Sequence, residues 1–120
     1  MIKNKPLIYI AAPYILGNIM HNIRTAINAF DEIIAKNAIP YIPHVSGFLD
    51  LICPHPSEFW LDYDLYWLNV CNALLRLPGK SNGADREIQF MLDKGKPVFY
   101  NYDELEKYIK NWNDGEVKNE

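Results

Sequence analysis

Apolar residues occur along the chain in two patterns. Some form short continuous runs, and others recur with helical periodicity over longer stretches. The short runs occupy residues 7–12, 38–43, 72–77 and 98–100. Runs of this length indicate strands, and the run at residues 7–12 is typical of a strand that is buried on both faces of a parallel sheet. Two prolines in residues 38–43 predict an edge position or a short length for the second strand.

Helical periodicity fills most of the segments between these runs. In the first segment the large apolar residues recur every three or four positions over about 18 residues and form one helical face. These residues are Ile19, Ile23, Ile27, Phe30 and Ile34, and the polar residues outside this stripe are expected to face solvent.

Three more helices are predicted. One begins at Pro56 or Ser57, is rich in aromatic residues and is apolar nearly all round, so it must bury more than one face. Another begins near Gly83 or Ala84 and ends at Lys94, and the last begins with the capping-box-like residues Asp103-x-x-Glu106.

Residues 44–55 show no clear periodicity, and Gly47, Pro54 and the adjacent Pro56 interrupt any regular element. They are predicted to form a loop, and a loop of this length in a small domain is typical of a lid that closes over a ligand.

Strands that alternate with helices predict an α/β fold with three layers, α/β/α. We expect a mostly parallel sheet of four to five strands with right-handed crossovers, Rossmann-like or flavodoxin-like. Residues 1–113 are expected to form a single domain, and the polar residues 114–120 a frayed tail.

Composition narrows the classes of partner. The net charge of −3 argues against a polymeric nucleic acid, because such binding depends on clustered Lys and Arg, so the ligand should be small. No apolar stretch approaches the roughly 18 residues of a membrane span, and the amino terminus lacks the apolar run of a signal peptide. Cys53 and Cys71 are not in a CxxC motif. We therefore expect a cytoplasmic protein with no membrane partner.

The candidate chemistry centres on residues 74–90, which run from a strand through a glycine-rich turn into a helix. In α/β sheets such a turn holds small anionic ligands. Gly79 and Gly83 permit positive φ and close backbone approach, and Ser81 can cap the helix. Glu87 is expected in the first helical turn, ionised by the positive end of the dipole. From spacing alone it is either a nucleophile toward a sugar carbon or an ordinary capping charge.

The motifs around this turn resemble those of the nucleoside 2-deoxyribosyltransferase-like superfamily, over roughly residues 7–100. The resemblance is closest to small phage and bacterial members of unknown function, which are related to nucleoside 5′-monophosphate N-glycosidases. It is carried by these elements: Ile8-Tyr9-Ile10-Ala11-Ala12-Pro13-Tyr14, Pro43-His44, Trp60, Trp67, Cys71-Asn72-Ala73-Leu74, Leu77-Pro78-Gly79 and Ser81-x-Gly83-Ala84-x-x-Glu87.

The resemblance implies that Glu87 attacks C1′ of a nucleoside or nucleotide and that Tyr9 orients it. Asp64, which resembles an Asp of the close relatives, is the candidate general acid, with Asp62 as an alternative. The expected substrate-binding residues are Ala12, Pro13, Tyr14, Asn22, His44, Trp60, Asn72, Pro78, Gly79, Ser81 and Gly83.

Asn72 departs from the family pattern, because related sequences commonly carry an Asp directly after the Cys, where it contacts the leaving base. An amide forms hydrogen bonds but does not donate a catalytic proton in the usual way. Three alternatives stay open: protonation of the base elsewhere, a slow enzyme, or a module that binds a nucleotide without turnover.

Other chemistries fit the sequence less well. His44, Cys53 and His55 match no common zinc spacing, so no metal or other cofactor is expected. Ser81 lacks the Gly-x-Ser-x-Gly elbow of hydrolases, and no Walker A motif is present. A weaker resemblance links residues 78–83 to the Pro-Gly-Gly-x-Gly-Thr turn of phosphoribohydrolases of the cytokinin-activating type, without its second Gly and Thr.

A homodimer or higher homo-oligomer is expected. The aromatic helix is apolar nearly all round on a chain too small to cover both of its sides. The resemblance implies the same, since relatives complete their sites with residues of a neighbouring subunit.

Overall fold

The computed structural model of the protein describes residues 4–115 and contains a four-stranded sheet with five helices. The strands are β1 (Leu7–Ala11), β2 (Ile39–Tyr41), β3 (Ala73–Arg76) and β4 (Val98–Phe99). The helices are α1 (Ile19–Ala35), α2 (Val45–Ile52), α3 (Ser57–Val70), α4 (Asn82–Asp93) and α5 (Tyr102–Asn113). The strand order is β2-β1-β3-β4, every pairing is parallel, and β2 lies at an edge as predicted. The predicted α/β class is confirmed.

The two faces of the sheet are covered by different helices. Because successive side chains of a strand point to opposite faces, Ile8 and Ile10 of β1 pack with α1 and α5, whereas Tyr9 and Ala11 pack with α3 and α4. This separation into two hydrophobic clusters gives the three layers. It also places the β1–α1 connection on one face and the β3–α4 connection on the other.

Helix α1 packs on the sheet through a narrower face than the sequence predicts. Its buried residues are Ala26, Ala29 and Ile33, and the small side chains of the two alanines let the helix lie close to the sheet. Ile27 and Ile34 of the predicted stripe remain about half exposed, at 51% and 48%. Within the described residues, no helix is long and apolar enough to cross a membrane.

Helix α3 is also less buried than its composition suggests. Only Asp64 and Leu68 are fully buried, and Tyr66 is 78% exposed. Both α1 and α3 thus present large apolar side chains on the outer surface of the molecule.

Residues 44–55 were predicted as a loop, and this prediction is wrong because they contain α2. No side chain caps the start of this eight-residue helix, and Gly47 lies within it, so the usual sequence signals of a helix are missing.

The other boundaries differ by a residue or two. Helix α5 is capped by Asn101, which accepts a hydrogen bond from Glu104 N at 2.9 Å, so it begins before the predicted Asp103. Of the predicted tail, residues 116–120 lie outside the described residues.

Candidate active site

A cavity of about 490 Å³ opens at the carboxyl ends of β1 and β3. The chain leaves these neighbouring strands toward opposite faces of the sheet, and this arrangement is where ligands of open α/β folds bind. The walls come from the β1–α1 loop, α2, α3 and the turn that leads into α4. Many residues predicted from the sequence line it: Ala12, Tyr14, His44, Trp60, Asp64, Ser81, Gly83 and Glu87.

Glu87 lies in the wall of this cavity and is only 9% exposed. The hydroxyl of Tyr9, a fully buried residue of β1, donates a hydrogen bond to Glu87 Oε2. Ser81 fixes the start of α4, since its Oγ accepts a hydrogen bond from Ala84 N at 3.1 Å. The predicted contact between Tyr9 and Glu87 is therefore confirmed.

Burial opposes the expected ionisation of Glu87. Burial raises the pKa of Glu87 to about 8, and the negative charge of Asp64 adds to this, while the Tyr9 hydrogen bond opposes it. The helix starts at Asn82, so Glu87 lies in its second turn and Asp85 is the acidic residue of the first. The macrodipole acts mainly within the first turn and does not overcome burial at Glu87.

Asp64 is the second buried carboxyl group that lines the cavity. Ser46 Oγ of α2 donates a hydrogen bond to Asp64 Oδ1 at 2.9 Å. Burial raises the pKa of Asp64 to about 6, against the lowering effect of Ser46. Between about pH 6 and 8 the Asp64 and Glu87 pair therefore keeps one proton. Asp62, the alternative acid, is exposed and does not line the cavity.

The turn between β3 and α4 is stabilised by contacts with Pro13 and Arg76. Gly79 has a φ of 116°, and a Cβ there would lie 2.6 Å from the Pro13 ring. The Arg76 guanidinium donates to the carbonyls of Leu77 and, at 2.7 Å, Gly79, and it lies 3.5 Å from the Asp85 carboxylate.

Predicted site residues in this turn therefore differ in role. Pro78 and Gly79 line a separate pocket of about 460 Å³ and not the cavity that holds Glu87, so they shape the turn. Gly83 is helical and has no positive φ, contrary to prediction. Lys80, which the sequence analysis did not single out, places a cation at the cavity wall.

Asn22 and Pro13 support the β1–α1 loop. Contrary to prediction, neither residue lines the cavity. The Asn22 side-chain amide donates to the carbonyls of Tyr14 at 3.0 Å and Leu16 at 2.7 Å. The Pro13 carbonyl accepts a hydrogen bond from His44 Nε2 at 2.9 Å. These contacts hold Tyr14 and the loop at the cavity rim.

Helix α2 forms the cavity wall next to this loop. Tyr14 packs directly on Gly47, where a Cβ would lie 2.0 Å from the tyrosine hydroxyl. Asp50 Oδ1 accepts hydrogen bonds from Trp60 Nε1 at 2.7 Å and His55 N at 2.8 Å, which joins α2 to α3. Ser46 and Asp50 are not recognisable from the sequence, because their spacing of four is informative only once α2 is known to be a helix.

Asn72 does not belong to this site, contrary to prediction. It precedes β3, and its Oδ1 accepts a hydrogen bond from Leu7 N at 2.8 Å, while its own N–H bonds the Leu7 carbonyl at 2.8 Å. Leu7 begins β1, so both contacts lie at the amino end of the sheet. The cavity lies at the carboxyl end, and the departure at Asn72 leaves its chemistry unchanged.

Across residues 4–115, no group of three or more His, Cys, Asp or Glu residues is placed to hold a metal ion. Cys53 is exposed at the end of α2, whereas His44 is buried and bonded to Pro13.

Fold and site together define an α/β protein with a ligand-sized cavity at the strand switch point and two buried carboxyl groups in its wall. Residues 6–101 match the family described as a domain of unknown function, DUF7768, and the chain belongs to this family. A comparison with curated proteins found no match.

Proposed function

We propose that this protein cleaves or transfers the N-glycosidic bond of a nucleoside or a nucleoside 5′-monophosphate. The observation that carries the proposal is the pair Glu87 and Asp64, two buried carboxyl groups that line one cavity. Glycosyl chemistry requires one carboxylate and one carboxylic acid at the same moment. A pair that keeps a single proton near neutral pH supplies both.

In the proposed reaction the Glu87 carboxylate attacks C1′ and forms a sugar ester. The C1′–N bond breaks, its electron pair leaves with the base, and Asp64 gives its proton to the base. Water or a second base then displaces Glu87 from C1′, and Asp64 takes the proton released by this incoming group. Water gives hydrolysis, and a base gives transfer.

The hydrogen-bond partners fit these roles. The Tyr9 hydroxyl stabilises the ionised form of Glu87 and fixes the orientation of its carboxyl group. The single proton of the pair must lie on Asp64 in the reactive form, and burial favours a neutral carboxyl there. Reaction therefore requires the proton to move from Glu87 to Asp64 when substrate binds.

Two other walls suit a nucleotide. Lys80, Ser81 and Gly83 bring a cation and the start of α4 to one side of the cavity, which favours an anion such as a 5′-phosphate. Trp60, held by Asp50, offers an aromatic surface to a base.

The alternative is a non-catalytic module that binds or sequesters a nucleotide. The observation that favours it is the pKa of about 8 at Glu87, because a protonated carboxyl group is a poor nucleophile and a good hydrogen-bond donor.

A panel of nucleosides and nucleoside 5′-monophosphates, assayed with and without a free acceptor base, tests the proposal. We expect chromatography to show release of the base, or its exchange, for at least one member of the panel. Tight binding without release would support the binding module. If no member of the panel, ribose or deoxyribose, is bound or cleaved, both proposed functions are overturned.

We further propose that the protein acts in the cytoplasm as a homodimer or higher homo-oligomer. The exposed apolar residues of α1 and α3, among them Ile27 and Trp67, support a surface covered by a second copy. Sedimentation at micromolar concentration should show a species larger than 14.0 kDa. A monomer alone would contradict this.

A further inference from the structure

Asp64 and Glu87 compete for one proton, and a hydroxyl group acts on each of them. The Tyr9 hydroxyl donates to Glu87 and the Ser46 hydroxyl donates to Asp64, and each bond stabilises the ionised form of the carboxyl group that accepts it. All four residues are at most 9% exposed. Water therefore screens neither bond strongly, and the balance between them has a large effect.

Ser46 reaches Asp64 from a separate element. It lies in the first turn of α2, and Asp64 lies in α3, so the bond is a tertiary contact and not a local helix feature. Its acceptor is Oδ1 at 2.9 Å. A single hydroxyl proton occupies one carboxylate oxygen and leaves the other to a ligand or to the shared proton.

We propose that Ser46 is a positioning residue that biases how the proton is distributed between the two cavity carboxyl groups, Asp64 and Glu87. With the Ser46 bond in place, Asp64 is the ionised member and Glu87 the protonated one in the ligand-free protein. Weakening this bond raises the fraction of molecules in which Asp64 holds the proton and Glu87 is a carboxylate. The catalytic consequence rests on the proposed function, whereas the position of the proton does not.

Other ionisable groups around Asp64 set the background of this balance. Glu87 on α4, Tyr9 on β1 and Tyr41 on β2 all interact with its charge. Asp50 and His44 line the same cavity on the α2 side, and Lys80 is the cation on the opposite wall. Burial lowers the pKa of His44, so His44 stays neutral near pH 7 and adds no positive charge to the cavity wall.

The test is a ¹³C NMR titration of the Asp and Glu side-chain carboxyl groups in the ligand-free full chain. Ser46→Ala should raise the titration midpoint of Asp64 by about one pH unit and lower that of Glu87, because the loss of a hydrogen bond to a charged group is worth about this much. Tyr9→Phe should move both midpoints the opposite way. Ser46→Thr, which keeps the hydroxyl, should resemble the wild type.

Ser57→Ala is the matched control, since Ser57 also lines the cavity but makes no side-chain hydrogen bond within residues 4–115. Unchanged midpoints in folded Ser46→Ala would overturn the proposal. So would a shift of equal size in Ser57→Ala. If Ser46→Ala does not fold, Tyr9→Phe decides, because unchanged midpoints there would remove the competition on which the proposal depends.

Activity then separates this proposal from the proposed function. If bases are released, Ser46→Ala should move the alkaline limb of kcat to higher pH while KM changes less than about threefold. If the midpoints move as expected but no base is ever released, the proton balance stands and the glycosidic function fails.

Discussion

The two ends of the sheet use polar side chains in opposite ways. At the amino end, Asn72 bonds the backbone of Leu7, and Lys96 Nζ donates to the Cys71 carbonyl at 2.9 Å. At the carboxyl end, Tyr9 and Ser46 bond carboxyl groups whose remaining oxygens are not occupied by backbone. At the amino end the side chains bond backbone N–H and C=O groups. At the carboxyl end they bond acidic side chains beside a cavity.

The difference shows which polar residues carry candidate chemistry. A side chain that satisfies strand termini removes a penalty for buried backbone groups and needs no further explanation. Two buried carboxyl groups with raised pKa values have an unfavourable effect on folding, and such pairs cluster at functional sites. Asn72 precedes β3 and Glu87 follows it, and only Glu87 lies at the cavity end.

Glu87→Gln gives the largest expected effect. The amide keeps the size of the side chain but is a poor nucleophile, so base release should fall by at least about 10³-fold, comparable to the loss of a principal catalytic group. Rates of base release at saturating substrate measure this.

Asp85→Asn is the control for Glu87→Gln, because Asp85 is an exposed carboxylate two residues away on α4 that faces Arg76. It should keep most of the activity. Equal losses in the two variants would show that the start of α4, and not the Glu87 carboxylate, is what the reaction needs.

The same Glu87→Gln variant should gain stability relative to the wild type as the pH rises. Because the folded pKa of Glu87, about 8, lies above its ordinary value of 4.5, the folded state binds more protons than the unfolded state between these values, and wild-type stability falls as the pH rises through this window. Gln removes this loss, so the variant should gain roughly 2 to 3 kcal/mol relative to the wild type between pH 5 and 7.

Urea unfolding at both pH values measures this difference. Asp64 is present in both proteins, so its own titration largely cancels. A wild type whose stability changes with pH in parallel with that of the variant would mean that Glu87 ionises at its ordinary pKa despite its burial.

The pH dependence of turnover should be bell-shaped between about pH 6 and 8. Below this window both carboxyl groups are protonated and no nucleophile exists, and above it both are ionised and no acid exists. Each limb should fall about tenfold per pH unit. A rate that rises continuously through pH 9 would exclude a carboxylic acid as the proton donor.

Much of this architecture is predictable from the sequence. Apolar runs predict the four strands, most clearly β1 and β3, in which burial on both faces leaves few polar positions. The Gly-rich turn before Glu87 predicts which strand end carries the site. The contact between Tyr9 and Glu87 follows from the family resemblance together with the parallel order of strands. Periodicity alone does not locate it, since the residues lie 78 positions apart.

Other features depend on tertiary packing that local patterns do not encode. Helix α2 lacks a side-chain cap and contains Gly47, whose place is explained only by the Tyr14 ring that packs on it. The first-turn position predicted for Glu87 is wrong, because α4 starts at Asn82 and Glu87 therefore lies in its second turn. Asn72 was assigned to the site because the sequence does not specify at which end of the strand the segment after Cys71 lies.

Asn72→Ala gives the smallest effect and tests the amino end of the sheet. Loss of the Oδ1 acceptor leaves the Leu7 N–H without its partner, so unfolding should become easier by about 1 to 2 kcal/mol. Turnover per folded molecule should stay unchanged, and Asn72→Asp, which keeps an acceptor oxygen, should neither raise nor lower it. Asn69→Ala, at an exposed position of α3, is the control and should alter stability by less than about 0.5 kcal/mol. Because the Asn72 contacts lie at the opposite end of the sheet from Glu87, a large change of turnover in Asn72→Asp would mean that the base leaves toward the amino end, and the assignment of the cavity at the carboxyl end would then be wrong.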